Sequence, residues 1–73
     1  MDAEAAKVAS ELTDYLVRHP MAADTPAGIA TWWLSDGMAV RPEAIDQALE
    51  HLVARGVLRR RRLPSDELLY SAR

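Results

Sequence analysis

Four consecutive arginines, at positions 59–62, are the densest cluster of charge in the chain. A guanidinium donates two parallel hydrogen bonds to a phosphate, so this segment is a candidate contact for the backbone of double-stranded DNA. On an edge strand of a sheet, the same residues would be solvated and would discourage aggregation. Alternation along a strand predicts Arg59 and Arg61 on one face and Arg60 and Arg62 on the other. Both interpretations stay open, together with a third in which some arginines pair with acidic residues of this chain or of a second copy.

Positive and negative charges are segregated along the chain. Residues 1–54 carry three basic and nine acidic side chains, whereas residues 55–73 carry six arginines and two acidic side chains. The formal net charge of -2 hides this difference. We therefore expect an acidic body with a basic C-terminal segment, and this distribution bears on the partner more than the net charge does.

A helix predicted to begin near Pro42 should carry a mostly acidic outward face. At 100° per residue, one side of this helix is apolar, and it consists of Ile45, Leu49, Leu52 and Val53. The opposite side carries Glu43, Gln47, Glu50 and Ala54, with Asp46 nearby. Arg41 precedes the helix and Arg55 ends it, so neither lies at the centre of this face.

Two adjacent tryptophans occupy a second predicted helix, Pro26 to Leu34, which starts after the capping candidates Asp24 and Thr25. Spacing predicts that Ile29, Ala30, Trp33 and Leu34 are buried. Trp32 falls at the edge of this stripe. It is either half-buried packing or a surface anchor for a protein partner.

The remaining elements follow from apolar spacing and from turn residues. Asp2 to His19 is an amphipathic helix that ends before Pro20, and the run 21–23 is a short extended stretch. Ser35-Asp36-Gly37 should end the second helix, and Gly56 suits the residue after the third. Val57 to Leu63 and Leu68 to Ala72 are predicted to form a hairpin with a loop of about four residues. Pairing Leu63 with Leu68 would place Tyr70 opposite Arg61 and on one face with Val57, Leu63 and Leu68.

Length and composition exclude several classes of protein. The 73 residues predict one domain, 1–73, and the absence of cysteine excludes disulfides and thiolate metal sites. That absence, and a start without a signal peptide, favour a cytoplasmic protein that does not enter a membrane. We find no nucleophile motif, no glycine-rich phosphate loop and no paired metal ligands, so we expect no catalytic residue, cofactor, metal or small-molecule substrate.

The predicted order of elements resembles a known family. Residues 48–58, with a leucine-rich helix followed by Gly56-Val57-Leu58, resemble the third helix and first wing strand of bacterial winged helix-turn-helix regulators. Leu69-Tyr70 lies where those proteins have their last strand, and residues 25–30 look like the start of their second helix. The resemblance implies a mainly α fold with a C-terminal β-hairpin (α+β): three helices, a short strand after the first, and a two-stranded wing at the end.

Two functions are compatible with such a fold. DNA-binding members insert the third helix into the major groove and offer basic or amide side chains there. Here that face is acidic, so we favour a non-catalytic module that binds a protein partner or a second copy of itself. Its first contact surface would be the acidic helix face with Trp32, where Glu43, Gln47 and Glu50 are candidate contacts, and its second, of opposite sign, would be the arginines at 59–62. The alternative is a small DNA-binding regulator that contacts phosphates through Arg41 and the arginines at 59–62, and a base through Gln47.

Overall fold

The computed structural model describes residues 1–34 and 39–72, which form an α+β fold. The elements, in chain order, are α1 (Ala3–Arg18), β1 (Ala23–Asp24), α2 (Pro26–Gly28) continued by a π-helical turn (Ile29–Trp33), α3 (Pro42–Ala54), β2 (Leu58–Arg62) and β3 (Leu68–Ala72). This confirms the predicted order of three helical segments, a short strand and a C-terminal hairpin. The three strands form one antiparallel sheet in the order β1-β3-β2.

Helix α1 begins and ends close to the predicted residues. Asp2 is its N-cap, and the Asp2 carboxylate accepts a hydrogen bond of 2.8 Å from the Ala5 backbone N–H. The chain leaves the helix at His19, because Pro20 disfavours helical geometry in the residue before it. The predicted apolar stripe is confirmed, with five buried residues: Ala5, Val8, Ala9, Leu12 and Leu16.

The second helix differs from the prediction. Thr25 caps it as expected, but regular α-helix extends only over Pro26–Gly28, and the next five residues form a π-helical turn. A π turn closes i to i+5 hydrogen bonds and therefore shifts the positions that face the core. Ile29 and Trp33 are buried as predicted, whereas Ala30, which was also expected in the core, is exposed. The predicted break at residues 35–37 lies outside the described residues.

Helix α3 packs its apolar side against α1 and ends in a Schellman motif. Gly56 has a φ of 77°, its N–H donates to the Val53 carbonyl, and the Val57 N–H donates to the Leu52 carbonyl. These two bonds satisfy carbonyls that the end of a helix leaves unpaired. The prediction that Gly56 follows the last turn is confirmed, and the motif aims the chain from α3 into β2.

The register of the hairpin is one residue away from the predicted one. Arg62 pairs with Leu68 and Arg60 pairs with Tyr70, so the pairing of Leu63 with Leu68 and of Arg61 with Tyr70 was wrong. The loop has three residues instead of four, since the Leu63 N–H donates to the Glu67 carbonyl at 2.7 Å.

Asp66 is the cause of the shorter loop. Its N–H donates to the Leu63 carbonyl at 2.8 Å, which closes a tight turn, and its φ is 76°. A three-residue hairpin loop with a left-handed residue at this place is a common connection, and Asp tolerates that conformation better than most residues. The face of the sheet that contacts the helices carries Leu58, Leu68 and Tyr70, so the prediction is confirmed for Leu68 and Tyr70 and was wrong for Leu63. Val57 precedes β2 and packs, partly buried, against the core.

The core lies between α1, α3, the π turn and this face of the sheet. Its fully buried members include Val8, Leu12, Ile29, Leu49 and Leu58. Among the described residues, no polar or charged side chain is buried. The helices of the described part of the chain are too short or too polar for any of them to cross a membrane.

Because the turn depends on a left-handed residue at position 66, Asp66→Val should lower the free energy of unfolding by roughly 1–2 kcal/mol. Asp66→Gly is the matched control. Glycine adopts positive φ without strain, so this variant should be as stable as the wild type to within about 1 kcal/mol. Urea unfolding followed by circular dichroism measures both. Equal losses for the two variants would mean that the Asp66 side chain, and not its backbone conformation, holds the turn.

Candidate functional site

The outward face of α3 is acidic and open to solvent. Glu43, Asp46, Gln47 and Glu50 are all exposed, as the helical spacing predicted. Glu50 is the only one of the four whose side chain forms an ion pair within the described part of the chain. A polyanion that approached this face would meet the carboxylates of Glu43 and Asp46 without a neutralising cation.

Arg41 joins the beginning of α3 to the beginning of α1. Its Nε donates to Glu4 Oε1 at 2.6 Å, and its Nη2 donates to Asp2 Oδ2 at 2.8 Å. A cation at the N-terminus of a helix is unfavourable because the helix dipole is positive there, and the two carboxylates compensate for it. Arg41 was a candidate phosphate contact, and in the structure its guanidinium already binds two carboxylates.

The same cluster changes the acidity of its members. The Ala5 backbone N–H and then the Arg41 guanidinium hold the pKa of Asp2 below its ordinary value of 3.8. Hydrogen bonds from Arg41 to Glu4 and then to Asp2 raise the pKa of Arg41 above its usual value. Both shifts have the sign expected when a charged form is hydrogen-bonded to an opposite charge. Both shifts favour the ionised forms of Asp2 and Arg41 at neutral pH.

The four arginines of the hairpin divide into two pairs, as alternation along β2 predicted. Arg60 lies on the helix-facing side, where its guanidinium pairs with the Glu50 carboxylate of α3. The Tyr70 hydroxyl and then the Glu50 carboxylate raise the pKa of Arg60. Arg60 thus links the hairpin to the acidic face of α3, which is the internal pairing that the sequence left as its third possibility.

Arg62 is on the same side as Arg60 but near the turn, where its Nη1 lies 3.2 Å from Asp66 Oδ1. Arg59 and Arg61 lie on the other side of the sheet, away from the helices. Neither of these two forms an ion pair with any residue in the described ranges. Half of the arginine run is therefore occupied within the chain, and half is available to a partner.

The two tryptophans have opposite environments: the predicted burial of Trp33 is confirmed, and Trp32, for which half-buried packing was one of two alternatives, is exposed. Trp33 is 3% exposed, and its ring stacks on the ring of Tyr15 with the centroids 4.9 Å apart and an interplanar angle of 10°. Trp32 is 72% exposed. A large exposed apolar side chain can anchor a partner, because burial against the partner would remove the apolar surface of its ring from water.

A shallow apolar groove of about 320 Å³ runs between the second helical segment and the start of α3. Its lining consists of Pro26, Ala27, Ala30, Val40, Pro42, Ile45 and Asp46. Asp46 is the only charged residue among the described residues of the lining, and Glu43 follows Pro42 directly. The groove therefore has an apolar floor and a rim that belongs to the acidic face of α3.

The sequence missed the groove and the cluster around Arg41. The groove depends on Ala30 pointing outward, which follows from the π turn and not from α-helical spacing. The cluster joins Asp2 and Arg41 across 39 positions, and no local pattern reports such a distant contact. The acidic side chains at the start of α1 were only a weak signal of this cluster, because they are also expected there to stabilise the helix dipole.

Within residues 1–34 and 39–72, no group of three or more potential metal ligands is close enough to hold an ion. No buried side-chain nitrogen or oxygen in the same ranges lacks a hydrogen-bond partner.

Comparison of the chain with models of protein families gives no match, and neither do searches among characterised proteins and among solved structures.

The pKa shift of Asp2 predicts how the stability depends on pH. A depressed carboxyl pKa contributes stability above the unfolded value of 3.8 and loses it as the pH falls through the lower folded value. Arg41→Gln should therefore be less stable than the wild type at pH 7, and this difference should shrink below about pH 4. The pKa of Asp2, measured by carboxyl NMR, should rise in the variant but stay below 3.8, because the bond from Ala5 remains.

Arg18→Gln is the control for this experiment, since it removes the same charge from the exposed end of α1 and breaks no ion pair. A difference between Arg41→Gln and the wild type that does not change with pH would show that the carboxylates do not depend on Arg41.

The tryptophans provide a second test. Trp33→Ala should lower the free energy of unfolding by roughly 3–5 kcal/mol, because it removes a buried ring from the core. Trp32→Ala should change it by no more than about 0.5 kcal/mol, because the side chain is largely in water. Chemical denaturation measures both values. Similar losses for the two variants would refute the assignment of Trp32 to the surface.

Proposed function

We propose that the chain is a non-catalytic winged-helix binding module that uses the outward face of α3 to bind a protein partner, as an interaction or regulatory adaptor. The observation that carries the proposal is the charge of this face: Glu43 and Asp46 are exposed and form no ion pair with any residue that the structure describes, and Glu50 binds an arginine of the hairpin. The order of the elements and the hairpin after α3 support the winged-helix assignment, which rests on the resemblance of residues 48–58.

The adjoining groove indicates which partner side chains would fit. An apolar floor beside carboxylates suits a segment in which a medium-sized apolar residue is flanked by Lys or Arg. Asp46 lies both on the rim of the groove and on the acidic face, so one such segment would contact both. Trp32 supplies a separate apolar contact, and its exposure of 72% leaves its ring free for burial against a partner.

DNA binding is the second candidate, and one observation favours it. Arg59 and Arg61 project from the face of the hairpin opposite the helices, and neither is paired with any residue that the structure describes. They are positioned to contact phosphates as the wing of a DNA-binding winged helix does. Against this, Arg41 is engaged by two carboxylates, and α3 would bring Glu43 and Asp46 towards the polyanion.

Amide NMR titrations at low salt separate the two functions. A helical peptide of leucine and lysine should shift the amides of α3 and of the groove. Replacing both carboxylates, in the double variant Glu43→Gln/Asp46→Asn, should weaken this binding by roughly 2- to 30-fold, the effect of losing two exposed ion pairs. The control Glu11→Gln/Asp14→Asn removes the same charge from α1 and should bind the peptide as the wild type does.

A short generic DNA duplex serves as the competing probe. We expect no shift of α3 amides with the duplex. Shifts of the amides of α3 and of β2 that salt reverses, together with tighter DNA binding by Glu43→Gln/Asp46→Asn, would overturn the proposal in favour of a DNA-binding regulator. Light scattering with no probe present would show whether the partner is a second copy of the chain.

A further inference from the structure

The hairpin leaves one edge of the sheet open. In the strand order β1-β3-β2, strand β2 has a neighbour on one side only among the residues 1–34 and 39–72. The Leu63 N–H donates to the Glu67 carbonyl, and antiparallel strands bond at every second residue, so Arg59 and Arg61 direct their backbone groups towards β3. The backbone groups of Arg60 and Arg62 then point away from the sheet. This edge offers them at the two-residue spacing that an added strand requires.

On one face of this edge, the side chains carry positive charge that no residue in the described chain neutralises. Arg59 and Arg61 form no ion pair there, whereas Arg60 is held by Glu50 and Arg62 by Asp66. Cross-strand neighbours on one face lie about 4.5–5.5 Å apart between Cβ atoms, which is close enough for a carboxylate on an added strand to reach each arginine.

The charge also decides which strand can be added. A second copy that paired through the same edge would set arginines against arginines, and like charges directly opposite each other are destabilising. A strand with Asp or Glu at every second position would instead oppose Arg59 and Arg61 with carboxylates. Selection of this kind combines attraction to one partner with repulsion of another.

We propose that the open edge of β2 binds an extended acidic segment of a protein partner, which joins the sheet as its fourth strand. This site lies on the hairpin and is separate from the α3 face of the proposed function. The backbone bonds to Arg60 and Arg62 would supply affinity independent of sequence, and Arg59 and Arg61 would select for acidic residues.

A nucleic acid fits this edge less well. A duplex that reached Arg59 and Arg61 would leave most outward-pointing backbone carbonyls of β2 without a donor, because phosphates only accept hydrogen bonds. An extended peptide contacts only the edge and satisfies both the donors and the acceptors of the backbone.

Hydrogen exchange measured by NMR tests the proposal with synthetic peptides of alternating glutamate and threonine. Such a peptide, once extended, carries all its carboxylates on one face. Its binding should slow the exchange of the Arg60 and Arg62 amides by about tenfold or more, while the amides of Arg59 and Arg61, already bonded to β3, should change little. A peptide with lysine in place of glutamate should leave all four unchanged.

Two controls separate strand addition from attraction between charges. A glutamate–threonine peptide that is N-methylated at its threonines keeps its charge but loses the N–H groups that would face Arg60 and Arg62, so it should lose the protection of these two amides. The variant Arg59→Gln/Arg61→Gln should bind the unmodified peptide roughly 2- to 30-fold more weakly. Lys7→Gln/Arg18→Gln removes the same charge from α1 and should bind it normally.

Equal binding of the methylated and unmodified peptides, or shifts without slower exchange at Arg60 and Arg62, would overturn the proposal. So would protection of these amides by a DNA duplex and not by the peptide, which would make the hairpin a nucleic-acid contact. The outcome is independent of the α3 face, because that face is tested with a basic peptide and with variants of Glu43 and Asp46. Either site can therefore fail while the other stands.

Discussion

The tight turn at residues 64–66 controls how the charged surfaces of the molecule are arranged. Because Asp66 takes a left-handed conformation, the loop closes in three residues and Arg60 comes to lie opposite Tyr70. With one more residue in the loop, Arg61 would occupy that place, and every arginine of β2 would change faces. The ion pair between Arg60 and Glu50, and the exposure of the arginines on the outer face, are consequences of this single backbone conformation.

A second constraint acts at the opposite end of the molecule. The Asp2 carboxylate caps α1 and also binds Arg41 at the start of α3, so one side chain connects two helix N-termini. The packing of α1 on α3 sets the orientation in which α3 presents its outward face, and this contact lies at one end of it. It also engages Arg41, an arginine close in sequence to Glu43 and Asp46, with other carboxylates. The acidity of the face is therefore a product of the tertiary structure as well as of the sequence.

Periodicity predicted well those features that depend on local spacing. The ends of α1, the start of α3 at Pro42 and the burial of Trp33 follow from apolar spacing and from helix caps. Spacing placed Trp32 only at the edge of the apolar stripe and did not decide between a half-buried and an exposed ring. It failed at the π turn, because its widened hydrogen-bonding pattern moved Ala30 to the surface and created the groove. It also failed on the hairpin register, since Pro-Ser-Asp-Glu fits loops of three and of four residues and only the left-handed Asp66 decides between them. Contacts across the chain, such as that of Arg41, leave no local pattern from which they could be predicted.

The separation of charge explains how one small fold can present an acidic and a basic surface that do not pair with each other. Arg60 and Glu50 neutralise one another at the boundary, so the acidic face of α3 and the basic outer face of the hairpin meet through a bound pair and not through free opposite charges. The charges that remain, at Glu43 and Asp46 on one side and at Arg59 and Arg61 on the other, lie on different elements and face different directions. Exposed ion pairs contribute little stability, so nothing in the energetics of folding requires this division. It agrees with the two proposed binding surfaces, since each surface attracts one sign of charge and repels the other.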